Sequence, residues 1–206
     1  MVIEKHYDAL KKMFFEEGIK SFTMDVICSR LGIAKKTLYK EFSNKKELVN
    51  AIFHKEFYCF KLDLTLALNN SEDAIQQLCI LFDFFSNRQN VLCYTSLFDL
   101  GEYYQPLNSE IIDLENQLII EKTNSILKQG IAESYFRKDI VTDRIGGIFT
   151  FLFMTRVILR KNKIHQDLFS FSDINLLDFH LRSMCTPFGL KLWNTKYLTI
   201  HTKNLR

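Results

Sequence analysis

Residues 32–42 read GIAKKTLYKEF, a stretch that sets Lys35, Lys36 and Lys40 beside Thr37 and Tyr39. These side chains suit recognition of a polyanion. Ammonium groups neutralise phosphates or donate to a guanine edge. A threonine meets a phosphate or a thymine methyl, and a tyrosine hydroxyl donates to a phosphate. On a helix starting near Ala34, Leu38 and Phe42 are four apart and share an inward face. Lys36, Thr37 and Lys40 are thereby grouped away from that face, with Lys35 and Tyr39 bordering it. Lys45 opens the next helix, where a cation is electrostatically disfavoured and a nearby phosphate would account for it. An ordinary solvated helix face would also carry such lysines.

The flanking pattern must hold this stretch in place. Ile3, Tyr7, Leu10 and Phe14 fall at helical spacing over 3–16, and Gly18 is expected to close that helix. Thr23 is expected to cap a short helix, 24–31, with Val26, Ile27 and Leu31 inward. Gly32 supplies a tight turn, a third helix follows over about 34–41, and Asn44 with Glu47 has the capping-box arrangement for a fourth helix running to about Leu68. Helices this short cannot stand alone. They must share a core, expected at Phe14, Met24, Ile27, Leu31, Leu38 and Phe42, which is the arrangement of a helix-turn-helix.

The chain beyond is expected to be helical as well. Ser71-Glu72-Asp73 should cap a helix to about Ser86, and further helices are expected over 91–104, 108–129, 139–161 and 172–186. Gly130 should end one of them, and Pro187 and Gly189 should stop the last. With 7 glycines and 2 prolines in 206 residues, an all-α fold is expected over an all-β one. The formal charge of +3 is concentrated: residues 1–50 hold ten Lys/Arg against seven Asp/Glu, and the remainder holds seventeen of each. That asymmetry fits a polyanionic partner, and also a solvated surface.

The 5 cysteines form no CxxC pair and are expected to be small buried hydrophobes in a reducing compartment, with no metal role. No signal peptide is recognisable, and the apolar run at 145–155 is too short for a membrane span of ~20 residues. A soluble, cytoplasmic protein is expected. The histidines (6, 54, 165, 180, 201) lack metal-ligand spacing, and there is no Gly-rich phosphate loop, GxSxG or HExxH, so neither catalysis nor a cofactor is expected.

The order of residues from Ala9 to Leu48 resembles the TetR family of bacterial transcriptional regulators. The similarity is carried by AL-x-x-MF-x-x-x-G at 9–18, Thr23, Ile27, Leu31-Gly32-Ile33, Thr37-Leu38-Tyr39 and F-x-x-K-x-E-L at 42–48. The resemblance implies a helix-turn-helix DNA-binding domain over 1–48 and a helical ligand-binding and dimerisation domain over 49–206. It also implies operator contacts from Thr23, Lys35, Lys36, Thr37, Tyr39, Lys40 and Lys45. Three positions depart from the family pattern. Ala34 stands where a serine or threonine commonly caps the recognition helix, at a cost of ~1 kcal/mol. Phe22 replaces a common threonine. Glu41 puts a carboxylate near phosphates, where Lys45 or Lys40 would have to pair with it.

GIAESYFRKD at 130–139 resembles the segment that joins the two longest helical parts of the family's second domain. The family also pairs its last two helices across a dimer. The resemblance therefore implies a homodimer through about 139–161 and 172–186 on a palindromic operator. Gly146-Gly147 fits close helix approach, either across that dimer or within the chain. The aromatic-rich half, with FDFF at 82–85, allows an apolar cavity for a small apolar or aromatic effector and equally a solid core. The function implied is a repressor released by such an effector; the alternative is a DNA-binding protein controlled by a protein partner or by no small molecule. The tail 190–206, with its lone Trp193, shows no readable role.

Overall fold

The computed structural model describes residues 1–88, 94–148, 151 and 173–198. The protein is all-α. Its helices are α1 (Val2–Glu16), α2 (Met24–Leu31), α3 (Lys35–Glu41), α4 (Lys45–Asn69), α5 (Ala74–Arg88), α6 (Tyr94–Tyr103) and α7 (Gln105–Ala132), followed by α8 (Asp173–Met184), α9 (Pro187–Leu192) and a π-helical turn, Trp193–Tyr197. Residues 142–148 are helical as well. Of the helix expected over 139–161, residues 139–141 are non-helical, 151 is helical, and 149–150 and 152–161 lie outside the described residues. Two compact units divide the chain: 1–62 with 88–115, and 63–87 with 116–206.

In the first unit, α1, α2 and α3 close on Leu10, Phe14, Ile27 and Leu38, all fully buried, with Leu48 and Ile52 of α4. Phe14 meets Phe22 edge to face at 6.4 Å, and Phe15 stacks on Phe53 at 4.6 Å. Met24 is buried as expected, while Leu31 and Phe42 are partly covered. Val26 points out and Cys28 takes the inward place. The helical repeat puts 24, 27 and 28 on one side of α2 and leaves 26 off it.

Helix α6 grips the end of α1. The Ser96 hydroxyl donates to the Phe14 carbonyl at 2.7 Å, and Asp99 accepts the Lys20 backbone N–H at 2.6 Å. The buried Glu56 carboxylate of α4 receives Lys11 at 2.8 Å and the Tyr7 hydroxyl. A buried carboxylate without such partners would be strongly destabilising.

In the second unit, Asp73 rather than Ser71 caps α5, accepting the Gln76 N–H at 2.9 Å. The Ser71 hydroxyl instead donates to the Leu68 carbonyl at the end of α4. Pro106 lies in the first turn of α7, where its missing N–H costs nothing. Gly130 does not end α7, which runs to Ala132; a Cβ at Gly130 would overlap the Phe136 ring, so its value is close packing. The chain turns at Ser134, φ 65°, and lays 135–137 against 184–186.

Helix α8 ends at Met184, before Pro187 as expected, but the chain does not stop being helical there. Thr186 caps a new one, accepting the Gly189 N–H at 3.1 Å, and Pro187 occupies its first turn. That helix delivers Trp193 into the core, fully buried, with its indole N–H on Asp178 at 2.7 Å. Tyr197 follows, donating to Asp73, and Lys196 pairs with Glu72. The tail thus closes the second unit. Gly146 packs within the chain, since a Cβ there would lie 2.9 Å from Asn124 Oδ1, whereas Gly147 faces open space.

Candidate nucleic-acid interface

The turn before α3 is built from backbone. Gly32 sits at φ 63°, and the Gly32 and Ile33 N–H groups return to the Ser29 and Cys28 carbonyls at 3.2 and 3.0 Å. This left-handed closure favours glycine and ends α2 sharply. Thr23 caps the other end of α2 through the Val26 N–H at 3.2 Å. Ala34 gives α3 no side-chain cap. Leu38 is the one residue of α3 that is fully buried, and it anchors the helix to the core.

Around that anchor, Lys36, Thr37, Tyr39 and Lys40 are all exposed. Thr23 and Lys35 are exposed nearby, but Lys35 is not free: its ammonium meets the Asp25 carboxylate at 2.7 Å. Hydrogen bonding and attraction to Asp25 raise the Lys35 pKa. Lys45 is half-buried, and burial pushes its pKa down, so a cation there gains from any anion that approaches. Glu47 donates its N–H to Asn44 at 3.0 Å, as expected, while its carboxylate reaches back to the Ser43 N–H at 2.8 Å.

The departures from the family pattern acquire structural roles. Glu41 pairs with neither Lys40 nor Lys45. Both its oxygens accept the Val2 N–H at 2.8 Å, which ties the end of α3 to the first turn of α1. Phe22 is core, with the Arg30 guanidinium 4.8 Å above its ring. Arg30 in turn holds Glu17 through two hydrogen bonds of 2.9 and 2.7 Å. Sequence reasoning missed Asp25 and this use of Glu41, because both partners lie on other segments and no helical spacing connects them.

Among the described residues no group of three or more His, Cys, Asp or Glu side chains could hold a metal ion. No described helix is long and apolar enough to cross a membrane. Cys28, Cys79 and Cys185 are buried, with burial raising their thiol pKa values, and Cys93 lies outside the described residues.

Residues 7–52 match the family model described as bacterial regulatory proteins, tetR family. No curated protein sequence matches the chain. Among solved structures, a transcriptional regulator from Cytophaga hutchinsonii is similar with a TM-score of 0.71 at 21% identity, over 89% of this chain and 98% of that one. Reduced NemR of E. coli gives 0.64 at 13% identity, over 89% and 97% of the chains. FadR from Bacillus subtilis, solved in complex with stearoyl-CoA, gives 0.58 at 16% identity, over 85% and 94%. At such identities the likeness speaks for the fold alone, and the match to the family model is confined to the amino-terminal segment. With α3 presenting lysines outward from a buried Leu38, residues 7–52 form an amino-terminal segment that matches the bacterial regulatory proteins of the tetR family.

Proposed function

We propose that the protein is a repressor that binds a palindromic operator as a homodimer and is released by a small apolar effector. The observation that carries the DNA-binding face is the outward placement of Lys36, Thr37 and Lys40 around the buried Leu38. In this reading α3 enters the major groove, where those three side chains meet base edges and phosphates. Thr23, Tyr39 and Lys45 bind the flanking phosphates, and Lys35 lies at the rim of the same face.

Exposed apolar side chains favour dimerisation through the second unit: Phe179 of α8 is 68% exposed and Ile148 is 44% exposed. A two-fold dimer would cover these patches and present two α3 helices to a palindrome. The effector reading draws on the apolar core of the same unit, in which the fully buried Thr123 hydroxyl has no hydrogen-bond partner among the described residues. Leaving a buried hydroxyl unsatisfied costs about 1–3 kcal/mol, and a ligand acceptor would recover it. The acyl-CoA in the B. subtilis FadR structure indicates what a protein of this fold accommodates. Moving the domain pair from 1:99 to 99:1 requires about 5.5 kcal/mol of differential effector affinity.

A gel-shift titration of the full chain with DNA flanking its own gene tests the reading. A two-fold symmetric footprint is expected, and failure of folded dimer to bind any such fragment at modest salt overturns it. A thermal-shift screen of apolar ligands tests the effector, since a ligand at 100 times its Kd adds ~2.7 kcal/mol of stability.

A further inference from the structure

The ion pair at the start of α3 is unusual in its placement. Lys35 and Lys36 open a helix whose first turn holds no acidic residue, and the helix dipole disfavours cations at that end. Asp25 supplies the missing charge from the first turn of α2, where a carboxylate is itself favoured. Its oxygen lies 2.7 Å from Lys35 Nζ, and both side chains are open to solvent at 58% and 63% exposure. Of the α3 lysines, Lys35 is therefore matched by a carboxylate, whereas Lys36 and Lys40 form no ion pair among the described residues and stand outward.

We propose that Asp25 is a specificity-determining residue, which withholds Lys35 from DNA phosphates and so suppresses sequence-independent binding. Non-specific affinity is set by the number of phosphates neutralised, each adding about 0.9 to the slope of log K against log salt. A lysine already balanced by a carboxylate releases no counterion when DNA arrives. Base reading by Lys36, Thr37 and Lys40 is left intact, so the ratio of specific to non-specific binding rises. The inference rests on α3 being the DNA-facing helix, as proposed above.

The test is the salt dependence of binding between 50 and 200 mM to a random-sequence 20-bp duplex, using full-length protein. Wild type, Asp25→Asn, the double variant Asp25→Asn/Lys35→Met, and Lys36→Met are compared, each checked for a wild-type thermal transition. Freed Lys35 should steepen the Asp25→Asn slope by about 0.9, an additional loss of about 3.5-fold in affinity across that salt range. The double variant should return to the wild-type slope, and Lys36→Met should fall about 0.9 below it. An Asp25→Asn slope equal to wild type, with the double variant below it, shows Lys35 already on a phosphate and overturns the proposal. A steeper slope that persists in the double variant assigns the effect to repulsion by Asp25 alone, and also overturns it. If Lys36→Met matches wild type, or wild type binds no duplex, the assignment of α3 itself fails and the proposal with it.

Discussion

Helix α3 and the turn at Trp193–Tyr197 are both short, and both lie beside larger helices. They treat their side chains in opposite ways. In α3 a single leucine is buried, and the polar side chains around it face solvent. In the carboxyl-terminal turn Trp193 and Tyr197 are buried, and the polar atoms of both are spent on Asp178 and Asp73. A segment that holds a fold together uses its polar groups internally. In α3 Lys35 and Glu41 are engaged, by Asp25 and the Val2 N–H, whereas Lys36, Thr37, Tyr39 and Lys40 stand exposed, and that contrast supports the proposed DNA-facing role.

Substitutions should separate the two segments. The largest effect is expected at Trp193→Ala, about 3–5 kcal/mol of lost stability in urea unfolding, since a fully buried indole is removed and Asp178 loses a donor. A loss under 1 kcal/mol would mean that the tail is not a clasp. Leu38→Ala should cost about 2–5 kcal/mol and lower DNA affinity together with stability, because α3 has no other fully buried anchor. Full stability with weakened binding would instead show that Leu38 itself touches DNA.

A smaller effect concerns pH. Burial pushes the Asp178 carboxyl up, but hydrogen bonds from Arg182 and Trp193 outweigh it and leave its pKa below the ordinary 3.8. A depressed folded pKa means stability that is present above the unfolded value and lost as pH falls through the folded one. Unfolding followed from pH 5 downward should therefore fall less steeply in Asp178→Asn than in wild type, and parallel curves would remove Asp178 from the clasp's electrostatics.

The contrast also explains what could be read before the structure. The helix-turn-helix was legible because its signals are local: Gly32 for the turn, Thr23 and Asn44 for caps, and four-residue spacing from Leu38 to Phe42. The pairs Asp25 with Lys35 and Glu41 with Val2 were not, since they join separate helices. Gly130 carried a helix-ending signal, yet α7 runs on to Ala132 with Phe136 packed against that glycine; Pro187 follows the end of α8 and, capped by the adjacent Thr186, also opens a new helix. The tail was opaque for the same reason, its anchors Asp73 and Asp178 being supplied by other helices.

The central claim is that α3 meets DNA through charges the fold leaves outward. It is tested most directly by comparing salt dependence of duplex binding for wild type and Lys36→Met/Lys40→Met, with stability measured in parallel. Loss of two phosphate contacts should shallow the log–log slope by about 1.8 while the unfolding transition stays where it was. An unchanged slope from equally stable protein would contradict it.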